Sequence, residues 1–255
     1  MKNTNWLGEQ VPLTNVNLYY EKHGSGQPLI CLHNFSANGR SRFTPMLPIL
    51  TKRFTCYLVD LRAHGRSDNP TGIWTHEESA KDIIELCEKL HIENAYFLGT
   101  SSGGMTLLKV VRMKPELVQA MVIDSATIRV PETSRKFYRR PDLLKPSIVK
   151  LYEEANEIYG KEYWRYLAQT FYDFRLPECD VNIKAELLQD ILAPTLIIYG
   201  DRDAFFPVDI AIDMKRNIPN SSLSIFPNTG HIVAEFYPER VAEMAVDFLT
   251  KQKRA

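Results

Sequence analysis

A chain of 255 residues with 44% hydrophobic side chains is long enough for one large globular α/β domain, and its 31 basic and 31 acidic side chains cancel. The net charge of the chain therefore gives no reason to expect nucleic acid as a partner. No window approaches the roughly 20 apolar residues of a membrane-spanning helix, and residues 1–10 lack the apolar run of a secretion signal, so we expect a cytoplasmic protein with no membrane span.

Strand-like and helix-like segments alternate over residues 1–130, which is the pattern of an α/β fold with a mainly parallel sheet. Short apolar runs bounded by turn residues predict strands. Apolar residues at helical spacing, such as Ala80, Ile83 and Cys87, predict amphipathic helices. In chain order, the predicted elements are strands at 16–21, 28–33 and 55–61, a helix at 75–90, a strand beginning at 95, a helix ending at 113, and a strand at 120–124.

Residues 129–189 differ in character, because they contain no apolar strand run and interleave aromatic and charged residues at helical spacing. This pattern predicts a helical insertion. The alternation then resumes, so we predict one core domain formed by residues 1–128 and 190–255, with helices on both faces of its sheet. The resumed elements are strands at 195–199 and 223–226 and a closing helix at 238–249.

The four cysteines are scattered without C-x-x-C spacing, and three of them lie inside apolar runs. This distribution predicts buried, reduced thiols rather than disulfides or metal ligands. Reduced thiols agree with a cytoplasmic location. The cysteines are Cys31, Cys56, Cys87 and Cys179.

The sequence Gly99-Thr100-Ser101-Ser102-Gly103 fits the pattern G-x-S-x-G between a strand-like run and a helix-like run. Of the two serines, only Ser101 has a glycine two residues before it and another two residues after it. A strand that turns abruptly into a helix strains its central residue and crowds the neighbours, so that only small side chains fit beside it. The motif predicts that Ser101 is a nucleophile exposed in a cleft.

Other motifs along the chain accompany this serine. They are Leu32-His33-Asn34-Phe35, residues 60–67, Gly200-Asp201-Arg202-Asp203 and Gly230-His231. Together with the serine motif they resemble the α/β-hydrolase family, in the capped form typical of esterases and related small-molecule hydrolases, over nearly the whole chain. The resemblance implies an α/β-hydrolase fold in which residues 129–189 form a helical cap over the cleft.

The resemblance also implies a catalytic triad in the chain order nucleophile, acid and base, which here is Ser101, Asp203 and His231. Serine is barely nucleophilic at neutral pH, so it needs a base to take its proton and an acid to hold that base in the right tautomer. Two other acids compete with Asp203. Asp201 would instead cap the turn, and Asp124 follows another strand at a position where some relatives carry the acid.

The remaining histidines are expected to have structural roles. In the family, His33 would hold the loop that carries the oxyanion hole, and His64 would buttress the core. His76, near a helix start, is expected to be solvated. His23 and His91 are expected at the surface.

Two backbone N–H groups stabilise the oxyanion of the tetrahedral intermediate in the family, and here they would belong to Phe35 and Ser102. The chain departs from the family at Asn34, where relatives usually carry glycine. Asparagine visits left-handed backbone angles more readily than most residues, so we expect the loop to tolerate it. Asn34 also brings an amide side chain to the rim of the site.

Aromatic residues of the insertion and of the segment after Asp203 are candidates to line an acyl or aryl pocket, because binding clefts are mostly apolar with a few polar anchors. A small helical cap also needs aromatic residues simply to pack on the core, so both roles stay open for each of them. The predicted substrate-binding residues are Asn34, Tyr138, Trp164, Phe205 and Phe206, with Tyr159, Tyr163, Tyr166, Phe171, Tyr172 and Phe174 as further candidates.

Basic residues outnumber acidic ones by seven to two between positions 129 and 150. A solvated helix face explains most charge runs of this kind. The alternative is a docking surface for an anionic partner, as in relatives that cleave esters or thioesters tethered to an acyl carrier protein. The basic residues are Arg129, Arg135, Lys136, Arg139, Arg140, Lys145 and Lys150.

The triad and the resemblance together predict a serine hydrolase that cleaves small carboxylic esters through an acyl-enzyme intermediate, with no cofactor and no metal. Hydrolases of thioesters, lactones and carbon–carbon bonds use the same triad, so these substrate classes stay open. A ligand receptor with slow turnover is the non-enzyme alternative, because fold alone does not separate the two. A receptor would bind its ligand tightly and hydrolyse it at a negligible rate.

Overall fold

A computed structural model describes residues 7–156, 159–160, 162–176 and 181–252, so that Cys179 lies outside the described residues. In the described part, eight strands form one sheet. The strands are β1 (Glu9–Pro12), β2 (Asn17–His23), β3 (Gln27–Leu32), β4 (Phe54–Asp60), β5 (Ala95–Thr100), β6 (Val118–Asp124), β7 (Thr195–Gly200) and β8 (Ser221–Phe226).

Across the sheet the strands follow the order β1-β2-β4-β3-β5-β6-β7-β8. The pairs β1–β2 and β2–β4 at one edge are antiparallel, and the other neighbouring pairs are parallel. Every residue of β4, β5 and β7 is buried. Strands buried on both faces have almost continuously apolar sequences, which is why these strands could be recognised. The mainly parallel α/β sheet is confirmed.

Helices cover both faces of this sheet, as predicted. The α-helices of the described residues are α1 (Gly39–Phe43), α2 (Leu47–Leu50), α3 (His76–Lys89), α4 (Ser102–Met113), α5 (Pro146–Ala155), α6 (Trp164–Asp173), α7 (Val208–Asn217), α8 (Val233–Phe236) and α9 (Pro238–Thr250), of which α5 and α6 lie outside the sheet layers. Apolar side chains of α3, α4 and α7 share one hydrophobic cluster, and those of α1, α2 and α9 share another. Each cluster buries a face of the sheet, which is the layered arrangement of an α/β domain.

Local signals explain where α3 begins. The Thr75 side chain accepts a hydrogen bond of 3.0 Å from the backbone N–H of Glu78, and Glu77 and Glu78 lie in the first turn. A capping oxygen and negative charge both stabilise a helix N-terminus, where backbone N–H groups have no intrahelical partner. The predicted helix at 75–90 therefore begins and ends within one residue of α3.

The sequence analysis misses β1 and α7, besides the short helices α1, α2 and α8. β1 has four largely exposed residues, among them Gln10 and Pro12, and so carries no apolar run. In α7 the buried residues Ile210, Ala211 and Met214 do have helical spacing. The helical spacing in α7 could therefore have been recognised in the sequence. β1 has no such local pattern and forms a strand through its pairing with β2.

Residues 129–189, the cap segment, lie between β6 and β7 and include α5 and α6. Their aromatic side chains pack against loops that follow the core strands. The ring of Phe174 lies 5.3 Å from that of Phe35 and 5.2 Å from that of Trp74. Aromatic pairs at these distances contribute beyond simple area burial. This packing fixes the described part of the cap segment over the carboxyl ends of β3 and β4.

Two expectations from composition concern thiols and membranes. Cys31, Cys56 and Cys87 are buried free thiols, as predicted. Burial raises the pKa of Cys87 to about 12, so this thiol stays protonated at neutral pH. Among the helices of the described residues, none has the length and apolar character needed to cross a membrane.

Candidate active site

Ser101 occupies a sharp turn between β5 and α4, with φ 47° and ψ −114°. A positive φ is costly for serine and persists only where the surroundings enforce it. The flanking glycines allow the turn because backbone lies directly against them. A Cβ on Gly99 would come within 2.7 Å of the Gly104 nitrogen, and one on Gly103 would overlap the carbonyl oxygen of Leu32. The turn points the Ser101 side chain into a cavity.

Ser101, His231 and Asp203 form one hydrogen-bonded chain. Ser101 Oγ lies 2.9 Å from His231 Nε2, and His231 Nδ1 lies 2.7 Å from Asp203 Oδ2. The other carboxylate oxygen of Asp203 accepts hydrogen bonds of 2.9 Å from the backbone N–H groups of Phe205 and Phe206. Asp203 is thereby held so that it accepts the Nδ1 proton, which leaves Nε2 unprotonated and facing Ser101.

The competing aspartates have different partners. Asp124 is fully buried and accepts hydrogen bonds from the backbone N–H groups of Val233 and Ala234, at 3.0 and 2.9 Å. Asp201 accepts one from the N–H of Thr229, at 3.1 Å. Burial raises the pKa of Asp124 despite these bonds. Both residues therefore hold the segment that carries His231 rather than the imidazole itself.

The predicted oxyanion donors, Phe35 and Ser102, line the same cavity as Ser101. Ser102 is the first residue of α4, where backbone N–H groups have no acceptor within the helix and the helix dipole favours negative charge. Phe35 lies in the loop after β3. His33 holds this loop, because its Nδ1 donates to the Asn34 carbonyl at 2.8 Å and its Nε2 accepts from the Leu61 N–H at 2.9 Å.

Asn34 replaces the family glycine without a left-handed backbone. In this loop the residue with positive φ is Ser36, at 63°, and not Asn34. The Asn34 amide instead makes two side-chain contacts: Nδ2 donates to the Phe35 carbonyl at 2.9 Å, and Oδ1 accepts from Arg42 Nε at 2.7 Å. Asn34 therefore does not adopt the left-handed backbone angles that it was expected to tolerate. Its side chain instead links the oxyanion loop to Arg42.

The cavity over Ser101 has a volume of about 610 Å³, which suits a small-molecule ligand. Its walls are mostly apolar, with a few polar groups. Four of the predicted substrate-binding residues line it. Sequence reasoning missed other lining residues, among them Ser36, Arg42, Met105, Leu151, Glu154 and Glu235. The four are Asn34, Tyr138, Phe205 and Phe206, and the further candidates Phe171 and Phe174 line it too.

Trp164 does not line the cavity, so its prediction as a substrate-binding residue is wrong. It is buried in the aromatic cluster of the cap segment, and the Arg165 guanidinium lies 4.5 Å from its ring centre. Trp164 begins α6, whereas Phe171 near the other end reaches the cavity. Seven residues of helix separate the two by about 10 Å along the axis. Composition alone does not indicate which end of α6 faces the site.

The sequence model of the α/β hydrolase fold family matches residues 27–158 and 133–238. The chain belongs to this family. The hydrolase is 29% identical to the uncharacterized hydrolase YugF of Bacillus subtilis, over 92% of this chain and 94% of that protein. It is 28% identical to the serine hydrolase BPHL of Mus musculus, over 94% of this chain and 85% of that protein.

The fold of the hydrolase is also similar to a solved structure of the meta-cleavage product hydrolase from Pseudomonas fluorescens IP01. The TM-score is 0.78 at 21% identity, and the match covers 97% of this chain and 99% of that one. The predicted α/β-hydrolase fold is therefore confirmed. Among the described residues of the hydrolase, no group of three or more His, Cys, Asp or Glu side chains could hold a metal ion.

His76 is buried, so the expectation that it is solvated is wrong. It begins α3 and faces α4, where its Nε2 lies 3.3 Å from Ser102 Oγ, and its ring lies 4.9 Å from that of Trp74. The signal was present in the sequence. His76 lies four and seven residues before Ala80 and Ile83, and so continues the buried stripe of α3 by one turn.

His64 packs beneath the oxyanion loop of the hydrolase. Its ring lies 4.7 Å from that of Phe35, and its Nδ1 donates to the carbonyl oxygen of Arg62 at 2.9 Å. Burial lowers the pKa of His64 to about 4 and lowers that of His33 well below its usual value. Both imidazoles are therefore neutral in the folded hydrolase at neutral pH.

This neutral imidazole predicts sensitivity to acid. As pH falls below 6.5, unfolded His64 binds a proton before the folded form does, so the free energy of unfolding decreases by about 3 kcal/mol by pH 4. In His64→Gln, a non-titrating amide offers the same donor. We expect the stability difference between wild type and variant to shrink by that amount between pH 7 and 4, measured by urea unfolding. Exposed His91→Gln should show no such change, and a constant difference for His64→Gln would refute the prediction.

Four of the seven basic residues between positions 129 and 150 are paired with carboxylates. The pairs are Arg129 with Asp213, Arg135 with Glu132, Arg140 with Asp142 and Lys150 with Glu154. Pairing reduces the positive charge that this face offers to an anionic partner. Docking of an acyl carrier protein on the hydrolase stays a prediction.

Proposed function

We propose that the chain is a serine hydrolase that cleaves small carboxylic esters through an acyl-enzyme intermediate. The observation that carries the proposal is the hydrogen-bonded chain from Ser101 through His231 to Asp203, with Ser101 on a strained turn beside a helix N-terminus. Nucleophile and base within hydrogen-bond distance, with the base oriented by a third group, is the arrangement that activates serine.

In the first half-reaction, His231 Nε2 takes the Ser101 proton as Oγ attacks the ester carbonyl carbon. The carbonyl oxygen becomes an oxyanion, and the N–H groups of Phe35 and Ser102 stabilise it. The imidazolium is stabilised by Asp203, which stays ionised. His231 then gives its proton to the leaving alkoxide as the carbon–oxygen bond breaks, so that an alcohol departs and Ser101 is acylated.

In the second half-reaction, water replaces the alcohol. His231 takes a proton from this water, and the hydroxide attacks the acyl carbon. The oxyanion forms again between the same two N–H groups. Its collapse breaks the bond to Ser101 Oγ, which recovers the proton from His231, and the carboxylic acid leaves. The site is then unchanged, and the net reaction consumes one water for each ester.

The cavity supports small substrates with an apolar portion. Its volume of about 610 Å³ and the rings of Tyr138, Phe171 and Phe205 suit a short acyl or aryl group. The fold does not separate esters from thioesters, lactones or carbon–carbon bonds. For an ester, the single proton that His231 carries is enough to release the alkoxide leaving group, and the same proton would serve a lactone or a thioester.

The test is hydrolysis of a chromogenic ester series, with acyl chains from two to about twelve carbons, alongside thioester and lactone substrates. We expect turnover with an optimum at short acyl chains and stoichiometric labelling of Ser101 by a fluorophosphonate. Labelling of Ser101 without ester turnover would replace the ester by whichever of the thioester and lactone substrates is hydrolysed, and by a carbon–carbon bond if neither is. Tight ligand binding with negligible turnover of every class would contradict catalysis and favour a receptor.

A further inference from the structure

One cation lies in the wall of the catalytic cavity. Arg42, on α1, is the only lysine or arginine among the described residues that line it. Its side chain is 13% exposed, so the guanidinium is largely buried. Burying a charge is costly unless it is paired. The reaction proposed above assigns this charge no task.

Asn34 ties Arg42 to the oxyanion loop. Its Oδ1 accepts from Arg42 Nε at 2.7 Å, while its Nδ2 donates to the carbonyl oxygen of Phe35 at 2.9 Å. The Nε edge of the guanidinium is thereby fixed by a neutral acceptor, which does not neutralise its charge. The loop that offers the Phe35 N–H to the oxyanion thus also orients a positive charge towards the cavity.

The carboxylate partner of Arg42 is weakly held. Arg42 Nη2 lies 3.4 Å from Glu235 Oε2, and the Glu235 side chain is 60% exposed. No other carboxylate of the described residues lies within ion-pair distance of Arg42. Exposed pairs at long distance contribute little to stability, because solvent competes for both charges. Glu235 can therefore turn to water when another carboxylate approaches the guanidinium.

We propose that Arg42 is the anion subsite of the cavity and that the substrate is an ester that carries a free carboxylate, such as the half-ester of a dicarboxylic acid. This inference rests on the proposed ester hydrolysis. A guanidinium binds a carboxylate through two parallel N–H donors, and such charge-assisted pairs are stronger than neutral hydrogen bonds. The aromatic walls then hold the apolar portion, and Arg42 sets its orientation relative to Ser101.

The other charges in the cavity walls permit this arrangement. Glu154 forms an ion pair with Lys150 at 3.5 Å, with both side chains largely exposed. Asp203 does not line the cavity, and it is bound to His231 at 2.7 Å. Glu235 alone competes directly with a substrate carboxylate for Arg42. Its removal should therefore improve binding of an anionic ester more than binding of a neutral ester.

The experiment compares monoethyl succinate with diethyl succinate, and acetoxyacetate with its neutral ethyl ester, by titration of the acid released. These pairs place the carboxylate in the acyl half and in the alcohol half of the ester, respectively. In Arg42→Gln, we expect kcat/KM for the preferred anionic ester to fall about 10- to 100-fold, mainly through KM. The neutral counterparts should lose markedly less, because they make no charge-assisted bond to Arg42 and lose only what the Asn34 contact contributes to both esters.

Three further variants sharpen the result. Arg42→Lys keeps the charge but loses the planar fork, so it should recover only part of the loss. Glu235→Gln should lower KM for the anionic ester. Arg165→Gln removes one positive charge outside the cavity, where Arg165 pairs with Glu162 at 2.6 Å, and should leave both esters unaffected. Equal losses on anionic and neutral esters in Arg42→Gln would overturn the proposal, because a strut in the cavity wall would affect both.

Failure of ester hydrolysis itself gives a different result. If wild type hydrolyses none of these esters, the proposed function fails while the anion subsite can still be tested. Binding of monoethyl succinate to Ser101→Ala is then measured by calorimetry, with and without Arg42→Gln. Binding that the second substitution abolishes supports the subsite. No binding, or binding that Arg42→Gln leaves unchanged, overturns it.

Discussion

Ser101→Ala is expected to lower kcat/KM for the best ester by about 10⁴- to 10⁶-fold, because the covalent route disappears and only oriented binding beside the oxyanion donors remains. The free energy of unfolding should change by less than about 1 kcal/mol, since alanine keeps the backbone and removes one hydroxyl that borders the cavity. Steady-state kinetics and urea unfolding measure the two effects separately. Fluorophosphonate labelling should vanish together with the activity.

Ser102→Ala is the matched control for this prediction. It removes the same group one residue further along and keeps the backbone N–H that is proposed to bind the oxyanion. The lost hydroxyl lies 3.3 Å from His76 Nε2, so a modest loss of stability and less than about a tenfold loss of kcat/KM are expected. Activity retained in Ser101→Ala but lost in Ser102→Ala would show that Ser102, and not Ser101, is the nucleophile.

The sequence predicts the position of Ser101 well because the constraints on it are local. An apolar run such as β5 is typical of a buried strand. Gly99 and Gly103 are required because a Cβ at either position would overlap neighbouring backbone atoms. Asp203 and His231, which follow other core strands, are assigned through the resemblance to the family and not through a local constraint. Residues at the carboxyl ends of parallel strands meet at one edge of the sheet, which is consistent with that assignment.

Contacts set by tertiary packing are predicted poorly. Trp164 and Phe171 share α6 and have similar chemistry, and only the docking of that helix decides that Phe171 reaches the cavity. Arg42 gives no local signal, because its role depends on Asn34 from a loop and Glu235 from α8. The prediction for His76 failed for a different reason. Its spacing places it on the buried side of α3, but it was predicted to be solvated because histidine is polar.

Asp203→Asn is expected to lower kcat/KM by about 10³- to 10⁴-fold, with little change in stability. The asparagine oxygen can still accept from the N–H groups of Phe205 and Phe206, as Oδ1 does now. The new NH₂ group, however, faces His231 Nδ1 and donates to it. The imidazole proton then sits on Nε2, which can no longer accept the proton of Ser101. The variant enzyme should recover partly at high pH, which a pH profile of kcat/KM would detect.

Asp124→Asn and Asp201→Asn separate this electronic effect from loss of structure. Asp124 holds two buried N–H groups at the start of α8, so an amide there leaves one of them facing an NH₂ group and should cost about 1–3 kcal/mol of unfolding free energy. In Asp124→Asn, kcat/KM should fall only because His231 is displaced slightly from Ser101. Asp201→Asn should have a smaller effect on kcat/KM and on the free energy of unfolding. If Asp124→Asn loses as much kcat/KM as Asp203→Asn at unchanged stability, Asp124 is the acid that acts on His231.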